Sequence, residues 1–489
     1  MWCEDCEGGL LLVEKHPLGD ASKIAVGRTD LSVTEGRKER VSRSDEESSM
    51  NADQTPSLPR ITITPERALL DERVHLTLSG FPANIEVTLQ ASTQDDEGKE
   101  WRSQATFLPG EHGFVDVSSQ PPLRGSYRTA DPMGLFWSMT VTSGKGKQPA
   151  SFVKTDLAVP TTITLRAQTN ARMLATAQAE RHHRANGVTE LLVGEHGLIG
   201  KLFLPADPGP HPGLLVLSGS DGTVRERGAA LLASHGYVAL ALAYFGAVGL
   251  PKRLARVSLD YFQHGIHWLQ QRPEVARDQI GVIGPSRGGE LALLLGAMFQ
   301  EIRAVVASAP SGLMHGGVGT APWVPAWIYQ GKPLPHIVYK PTVSELVEVL
   351  SAMIRRTPFV GRPLYLKELD DQQAMERATI PVEKIQGSLL LISGEEDELW
   401  PSTLYAERLM ERLSHHHHPF PYKHLRYKGA GHLIGIPYSF PYLPPAIAPL
   451  PNGLLVLAFG GSPQASAYAD ADSWTQTLVF LEESLNRPN

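Results

Sequence analysis

Near residue 190 the hydrophobic period of this chain changes, and that change limits what it can fold into. From Ile61 the apolar residues alternate in short runs: Ile61-Thr62-Ile63-Thr64, Val74 to Leu78 and Glu86 to Gln90. Turn residues such as Ser79-Gly80-Phe81-Pro82 and Leu108-Pro109-Gly110 separate them. A period of two with turns between predicts an antiparallel β-sandwich whose strands end near Arg166. Beyond about Glu195 continuous apolar runs alternate with amphipathic ones. Strands are expected at Gly213 to Leu217, Val238 to Ala243, Ile280 to Ile283, Ala304 to Ser308, Leu389 to Ile392 and Lys423 to Tyr427, with helices at Arg227 to His235, Leu254 to Gln271 and from Arg287. Strands buried on both faces and separated by helices make a mostly parallel sheet. Residues 311 to about 380, with several Pro and Trp, break the rhythm and read as a cap insertion. The expected organisation is a tail over 1–55, the sandwich and its linker over 56–190, and an α/β domain over 191–489.

Residues 1–55 are rich in charged residues, Ser and Gly without sustained apolar periodicity, so they cannot bury enough surface to offset ordering entropy. A disordered tail is expected, dispensable for activity, and Met50 is an alternative start. For the whole chain, 42% apolar and 20% charged residues are the usage of a globular protein. A net charge of −7 gives no drive toward nucleic acid or anionic lipid. No apolar run is long enough to span a bilayer. Cys3 and Cys6 form a single C-x-x-C, half of a four-ligand zinc site, so neither a metal nor a cofactor is expected. A body without cysteine suits a reducing compartment, and the cytoplasm is the default.

The chemistry centres on Gly284-Pro285-Ser286-Arg287-Gly288, a G-x-S-x-G run between an apolar strand and an apolar helix. That context is the nucleophile elbow of an α/β-hydrolase. A serine hydroxyl is a poor nucleophile until a base takes its proton, so an oriented histidine must follow in the order Ser, acid, His. Asp397 lies just past the strand Leu389 to Ile392, with Glu395, Glu396 and Glu398 as rivals. His432 follows the strand Lys423 to Tyr427 in Lys428-Gly429-Ala430-Gly431-His432, where small residues let a loop approach closely. Among the 18 histidines, the run His415 to His418 reads as a solvated polar loop, and His235 as a partner of a helix C-terminus. The oxyanion donors are expected to be the N–H of Arg287 and one from Gly219 or Ser220, in the loop after the first buried strand.

Several runs together resemble the family of acyl-CoA thioesterases and bile acid-CoA:amino acid N-acyltransferases, over about Ile61 to Leu485. They are Gly125-Ser126-Tyr127-Arg128-Thr129-Ala130-Asp131-Pro132-Met133-Gly134-Leu135-Phe136-Trp137-Ser138-Met139, then Gly200 to Pro205, Ala239 to Phe245, Gly284 to Glu290, Gly460-Gly461 and Trp474. The resemblance implies an acyl-CoA substrate and a Ser, Asp, His triad, carried here to Ser286, Asp397 and His432. Two departures stand out. Arg287 replaces the lysine expected after the nucleophile, and Gly246-Ala247-Val248 replaces a polar turn. Arg225, Arg227, Lys252 and Arg253 are candidates for CoA phosphate contacts. The expected activity is hydrolysis of acyl-CoA to free acid and CoA. The alternatives are transfer of the acyl group to an amino acid, hydrolysis of small dienelactone-type esters, or a non-enzymatic binding module.

Overall fold

Apolar residues on alternate positions force the first strands to lie half-buried. In the computed structural model, which describes residues 58–142, 151–170, 172–439, 448–449 and 455–485, Arg60–Thr64 pairs antiparallel with His75–Ser79, burying Ile61, Ile63, Leu76 and Leu78. A larger sheet faces it, with Val87–Gln94 between Glu100–Phe107 and Thr161–Thr169. Its inward residues, among them Leu89, Trp101, Phe107, Ile163 and Leu165, join the first sheet in one apolar core. The sheet runs past the expected end at Arg166, because Arg172–His182 adds an eleven-residue strand. Its apolar positions are mostly alanines, too weak a pattern to read as alternation.

Eight strands make the second sheet: β1 (Thr189–Val193), β2 (Ile199–Leu204), β3 (His211–Val216), β4 (Val238–Ala243), β5 (Val275–Pro285), β6 (Ile302–Ser308), β7 (Ser388–Gly394) and β8 (Tyr422–Tyr427). Their order is β1-β2-β4-β3-β5-β6-β7-β8, antiparallel up to β4 and parallel from there on. All six residues of β4 are buried, as are Leu389, Leu390 and Leu391 of β7. This is the architecture of an α/β-hydrolase preceded by an antiparallel sandwich.

Helices cover both faces: α1 (Glu226–Ser234), α2 (Leu259–Gln270), α3 (Arg287–Met298), α4 (Val343–Arg355), α5 (Ser402–His415) and α6 (Pro463–Leu485). The second starts five residues later than its apolar pattern predicts. Ser258 caps it, its hydroxyl accepting the Asp260 N–H, while Val257 and Ser258 pair with Trp327 and Ile328. The histidine run is solvated as expected at His415, His416 and His417, and departs from that only at His418. His415 closes α5, and His418 is buried with its ring 3.2 Å from the Gly387 carbonyl. Between β6 and β7 lie α4, four shorter helical segments and short strands. The tail, Cys3, Cys6 and Met50 lie outside the described residues.

The two layers meet at the run from Asp131 to Met139. Gly134–Trp137 forms one helical turn, and Met133, Leu135, Phe136 and Trp137 are all buried. Asp131 holds the turn, accepting from Met133 N–H at 2.8 Å and Trp137 Nε1 at 2.7 Å. Trp137 packs edge-on against Tyr468 of α6. Asp71, 3% exposed in its side chain, reaches His235 at the end of α1 (2.6 Å) and Trp474 of α6 (2.7 Å). Among the described residues no helix is long and apolar enough to cross a membrane.

Candidate active site

A strand that must turn at once into a helix needs a residue with positive φ and neighbours without side chains. Ser286, between β5 and α3, has φ 55° and ψ −121°, a strained geometry for a residue with a β-carbon. Gly284 and Gly288 make it possible. A β-carbon on the first would stand 2.3 Å from the Gly288 carbonyl oxygen, and one on the second 2.1 Å from the Ser218 oxygen. The Ser286 N–H donates to the Ser308 carbonyl of β6 at 2.7 Å, anchoring the turn to the sheet.

Three chain segments then converge at the carboxyl ends of β5, β7 and β8. His432 Nε2 lies 2.9 Å from Ser286 Oγ, and its Nδ1 lies 2.8 Å from Asp397 Oδ2. Asp397 and His432 are both buried. Of the four acidic residues after β7, only Asp397 faces the histidine: Glu396 is exposed, and Glu395 pairs with Arg426 at 3.0 Å. The Asp397 carboxylate is fixed before the histidine meets it. Oδ1 accepts from the N–H groups of Leu399 (2.9 Å) and Trp400 (3.2 Å), and Oδ2 from the Ser402 hydroxyl (2.6 Å). The imidazole is stacked on Phe459 and edge-on to Trp400. Gly431 packs on the Phe459-Gly460 strip, where a β-carbon would be 2.1 Å from the Gly460 oxygen. The small residues before His432 therefore accommodate the segment carrying Gly460-Gly461.

Arg287 opens α3, where the first N–H groups of a helix lack intrahelical acceptors. A cavity of about 990 Å³ opens on Ser286 and His432. The loop after β3 contributes Leu217, Thr223, Val224 and Arg225 to its wall; Gly219 and Ser220 are not in it. Gly219 backs the elbow instead, with its β-carbon position 3.5 Å from the Pro285 oxygen. Much of the wall is apolar, from Leu217, Ile283, Val306, Ile392, Ile434 and Trp474, and the sandwich contributes Ser151 to Thr155. Lys252 and Arg253 are not in the wall. Arg253 donates to the Gly319 carbonyl.

Sequence reasoning missed a buried charge network one turn beyond Ser286. Glu290, fully buried, accepts from Arg287 (2.6 Å) and from Trp327 Nε1 (2.8 Å), and its carboxylate lies 3.1 Å from His315 Nδ1. His315 Nε2 reaches Glu368 at 3.1 Å, and the Arg287 guanidinium also donates to the His315 and Gly316 carbonyls. Burial by itself raises the Glu290 carboxyl, but the Arg287 charge and His315 outweigh it and hold it below the usual range. Burial likewise opposes charging of His315, yet the two carboxylates push it up to about 9. Arg287 here is thus a planar fork tying α3 to the β6–β7 insertion, a geometry a lysine ammonium does not reproduce. The one available signal was Glu290 itself, a carboxylate directly before the apolar run Leu291 to Leu295 on an apolar helix.

Comparison with known proteins follows the same outline. Residues 71–195 match the acyl-CoA thioester hydrolase/BAAT N-terminal region, and residues 257–487 the BAAT/acyl-CoA thioester hydrolase C terminal. The chain is 31% identical over 425 residues to acyl-coenzyme A thioesterase 1 of Rattus norvegicus, covering 86% of this chain and 95% of the relative. It is 32% identical over 437 residues to acyl-coenzyme A amino acid N-acyltransferase 1 of Mus musculus, covering 87% and 98%. With acyl-coenzyme A thioesterase 2, mitochondrial, of Homo sapiens it shares 31% over 432 residues, covering 86% and 83%. The chain belongs to the acyl-CoA thioester hydrolase/BAAT family.

Proposed function

We propose that this protein is an acyl-CoA thioesterase that works through Ser286, His432 and Asp397 and an acyl-enzyme. The supporting observation is the hydrogen-bonded relay from Ser286 through His432 to Asp397 at the mouth of a large, mainly apolar cavity. His432 Nε2 takes the Ser286 proton as Oγ attacks the thioester carbonyl. The oxyanion rests on the Arg287 N–H and on a second N–H from the loop after β3. Collapse expels the CoA thiolate, which takes the proton from His432 and leaves an oxygen ester on Ser286. Water, deprotonated by the same histidine, then releases the acid.

Hydrolysis rather than transfer to an amino acid follows from the nucleophile. An oxygen ester is less readily aminolysed than the thioester a cysteine would form. The test uses acyl-CoA of graded length with millimolar glycine or taurine. Free acid as the main product, an acyl adduct on Ser286 by mass spectrometry, and loss of turnover in Ser286→Ala are the expected results. Near-native turnover in Ser286→Ala would refute the assignment, and conjugate as the main product would make the chain an acyltransferase. Faster turnover of p-nitrophenyl esters than of any acyl-CoA would replace it with an esterase.

A further inference from the structure

Trp400 stands where the relay of Ser286, His432 and Asp397 meets the buried charge network. It is 1% exposed, and its indole Nε1 donates to the carbonyl of Ala309, just past β6, at 3.0 Å. The Trp400 N–H donates to Asp397 Oδ1 at 3.2 Å, and its ring meets His432 edge-on, with centroids 5.5 Å apart and planes at 77°. One residue thus touches both the carboxylate and the imidazole, so a shift of Trp400 disturbs both ends of their hydrogen bond. Its indole is also stacked on His315, with centroids 5.6 Å apart and planes at 25°. Both His315 nitrogens are engaged, Nδ1 by Glu290 and Nε2 by Glu368, each at 3.1 Å. The His315 N–H donates to Glu290 at 3.3 Å, and its carbonyl accepts from the Arg287 guanidinium at 3.2 Å. Held at both nitrogens and flanked edge-on by Tyr365 and Tyr405, the His315 ring gives the indole a fixed surface to lie on. Burial opposes charging of His315, yet the carboxylates keep it an imidazolium, and a cation against an indole face is attracted by the ring quadrupole.

Building on the reading of Ser286, His432 and Asp397 as the reacting groups, we propose that Trp400 is a positioning residue for His432 and Asp397, and that His315 acts on them through it. The Ser286 proton passes to His432 along a 2.9 Å hydrogen bond whose direction is set by the imidazole plane. Hydrogen bonds at its two nitrogens still let the His432 ring swivel about the line joining them. Trp400 and the stacked Phe459 remove that freedom. A displaced base transfers the proton more slowly without any change in substrate contact, so the effect belongs to kcat rather than KM. The network one turn beyond Ser286 is thereby joined to the relay: the Glu290 that holds Arg287 at the start of α3 also holds His315 against Trp400.

Full-length wild type, Trp400→Leu, Trp400→Phe, His315→Gln and the double variant Trp400→Leu with His315→Gln are compared in two assays. One gives kcat and KM on acyl-CoA, and the other the rate at which a fluorophosphonate labels Ser286. Labelling needs the relay but no thioester, so it reads the proposal even if acyl-CoA is not the substrate. Trp400→Leu should lower kcat and the labelling rate by about 100-fold, with KM changed by less than about threefold. Trp400→Phe, which keeps an aromatic ring against His432, should recover about tenfold or more of that loss. His315→Gln should cost about tenfold by itself and nothing further on top of Trp400→Leu, because residues that act through one contact are not additive. A folded Trp400→Leu with near-native kcat, a loss confined to KM, or losses that multiply in the double variant would overturn the proposal. Wild type supplies a further reading that depends on no variant of Trp400 or His315 folding. The downfield proton resonance of His432 Nδ1, in its hydrogen bond to Asp397, should shift in one step near pH 9 as His315 loses its proton. The groups facing His315 are Glu290, Glu368, Arg287, Tyr365 and Tyr405, and burial pushes Tyr365 up to about 12 and Tyr405 further, so neither phenol accounts for such a step. A resonance that stays constant from about pH 7 to about pH 10 would overturn the proposal as well.

Discussion

Replacing Glu290 with Gln removes one charge from the network behind Ser286 while keeping the side chain's shape. Two cationic partners, Arg287 and His315, then lose a carboxylate that stands 2.6 Å and 3.1 Å away inside the protein. Breaking a buried pair by neutralising one member costs about 3–5 kcal/mol, because the remaining charge stays desolvated. Part of that cost depends on pH in a defined direction. His315 titrates near 9 in the folded chain against 6.5 when unconstrained, which is worth about 3 kcal/mol. This stabilisation is complete below about pH 6.5 and disappears as pH rises through 9. With Glu290 neutral, only Glu368 still faces the imidazole, so the raised value falls back and the stabilisation shrinks. The difference between wild type and Glu290→Gln should therefore be larger at pH 6 than at pH 10. Chemical denaturation followed by tryptophan fluorescence reads this locally, since Trp327 donates to Glu290 and Trp400 stacks on His315. A difference below about 1 kcal/mol, or one that does not shrink as pH rises, would refute the reasoning.

Ser402→Ala removes the hydroxyl that holds Asp397 Oδ2; a hydrogen bond to a charged group is worth about 1.5–3 kcal/mol, and kcat should fall by about an order of magnitude with KM little changed, as steady-state kinetics will show. Gly288→Ala drives a methyl group to 2.1 Å from the Ser218 oxygen, so soluble, fully active protein from that variant would contradict the elbow geometry. Trp137→Ala empties a buried site where the sandwich meets α6 and should cost about 3–5 kcal/mol in equilibrium unfolding. For the same reason residues 190–489 expressed alone should be insoluble or poorly active, and a fully active fragment would show that the sandwich is not needed.

The switch from alternating runs to buried strands was legible because side-chain period follows backbone geometry, so both architectures and the strand Val238–Ala243 could be read directly. Boundaries were less legible. The start of α2 depended on Ser258 being drawn into a strand pair with Ile328, a partner seventy residues away. The long C-terminal helix α6 escaped notice because its buried stripe includes small and polar residues, Ala467, Ala469, Asp470 and Ser473, in place of large apolar ones. The nucleophile, acid and histidine could be proposed from order and context alone, since each must follow a strand end.

By itself the sequence determined which groups could react: a serine between glycines, a carboxylate past a buried strand, a histidine in a small-residue loop. Only the tertiary structure decided how they are held and what surrounds them. It selected Asp397 from four neighbouring acids by burying it under two N–H groups and a hydroxyl, and placed Thr223 and Val224 rather than Gly219 and Ser220 in the cavity wall. It also brought His315 between Glu290 and Glu368. Those outcomes depend on distances between residues far apart in the chain, and no local period or propensity encodes them.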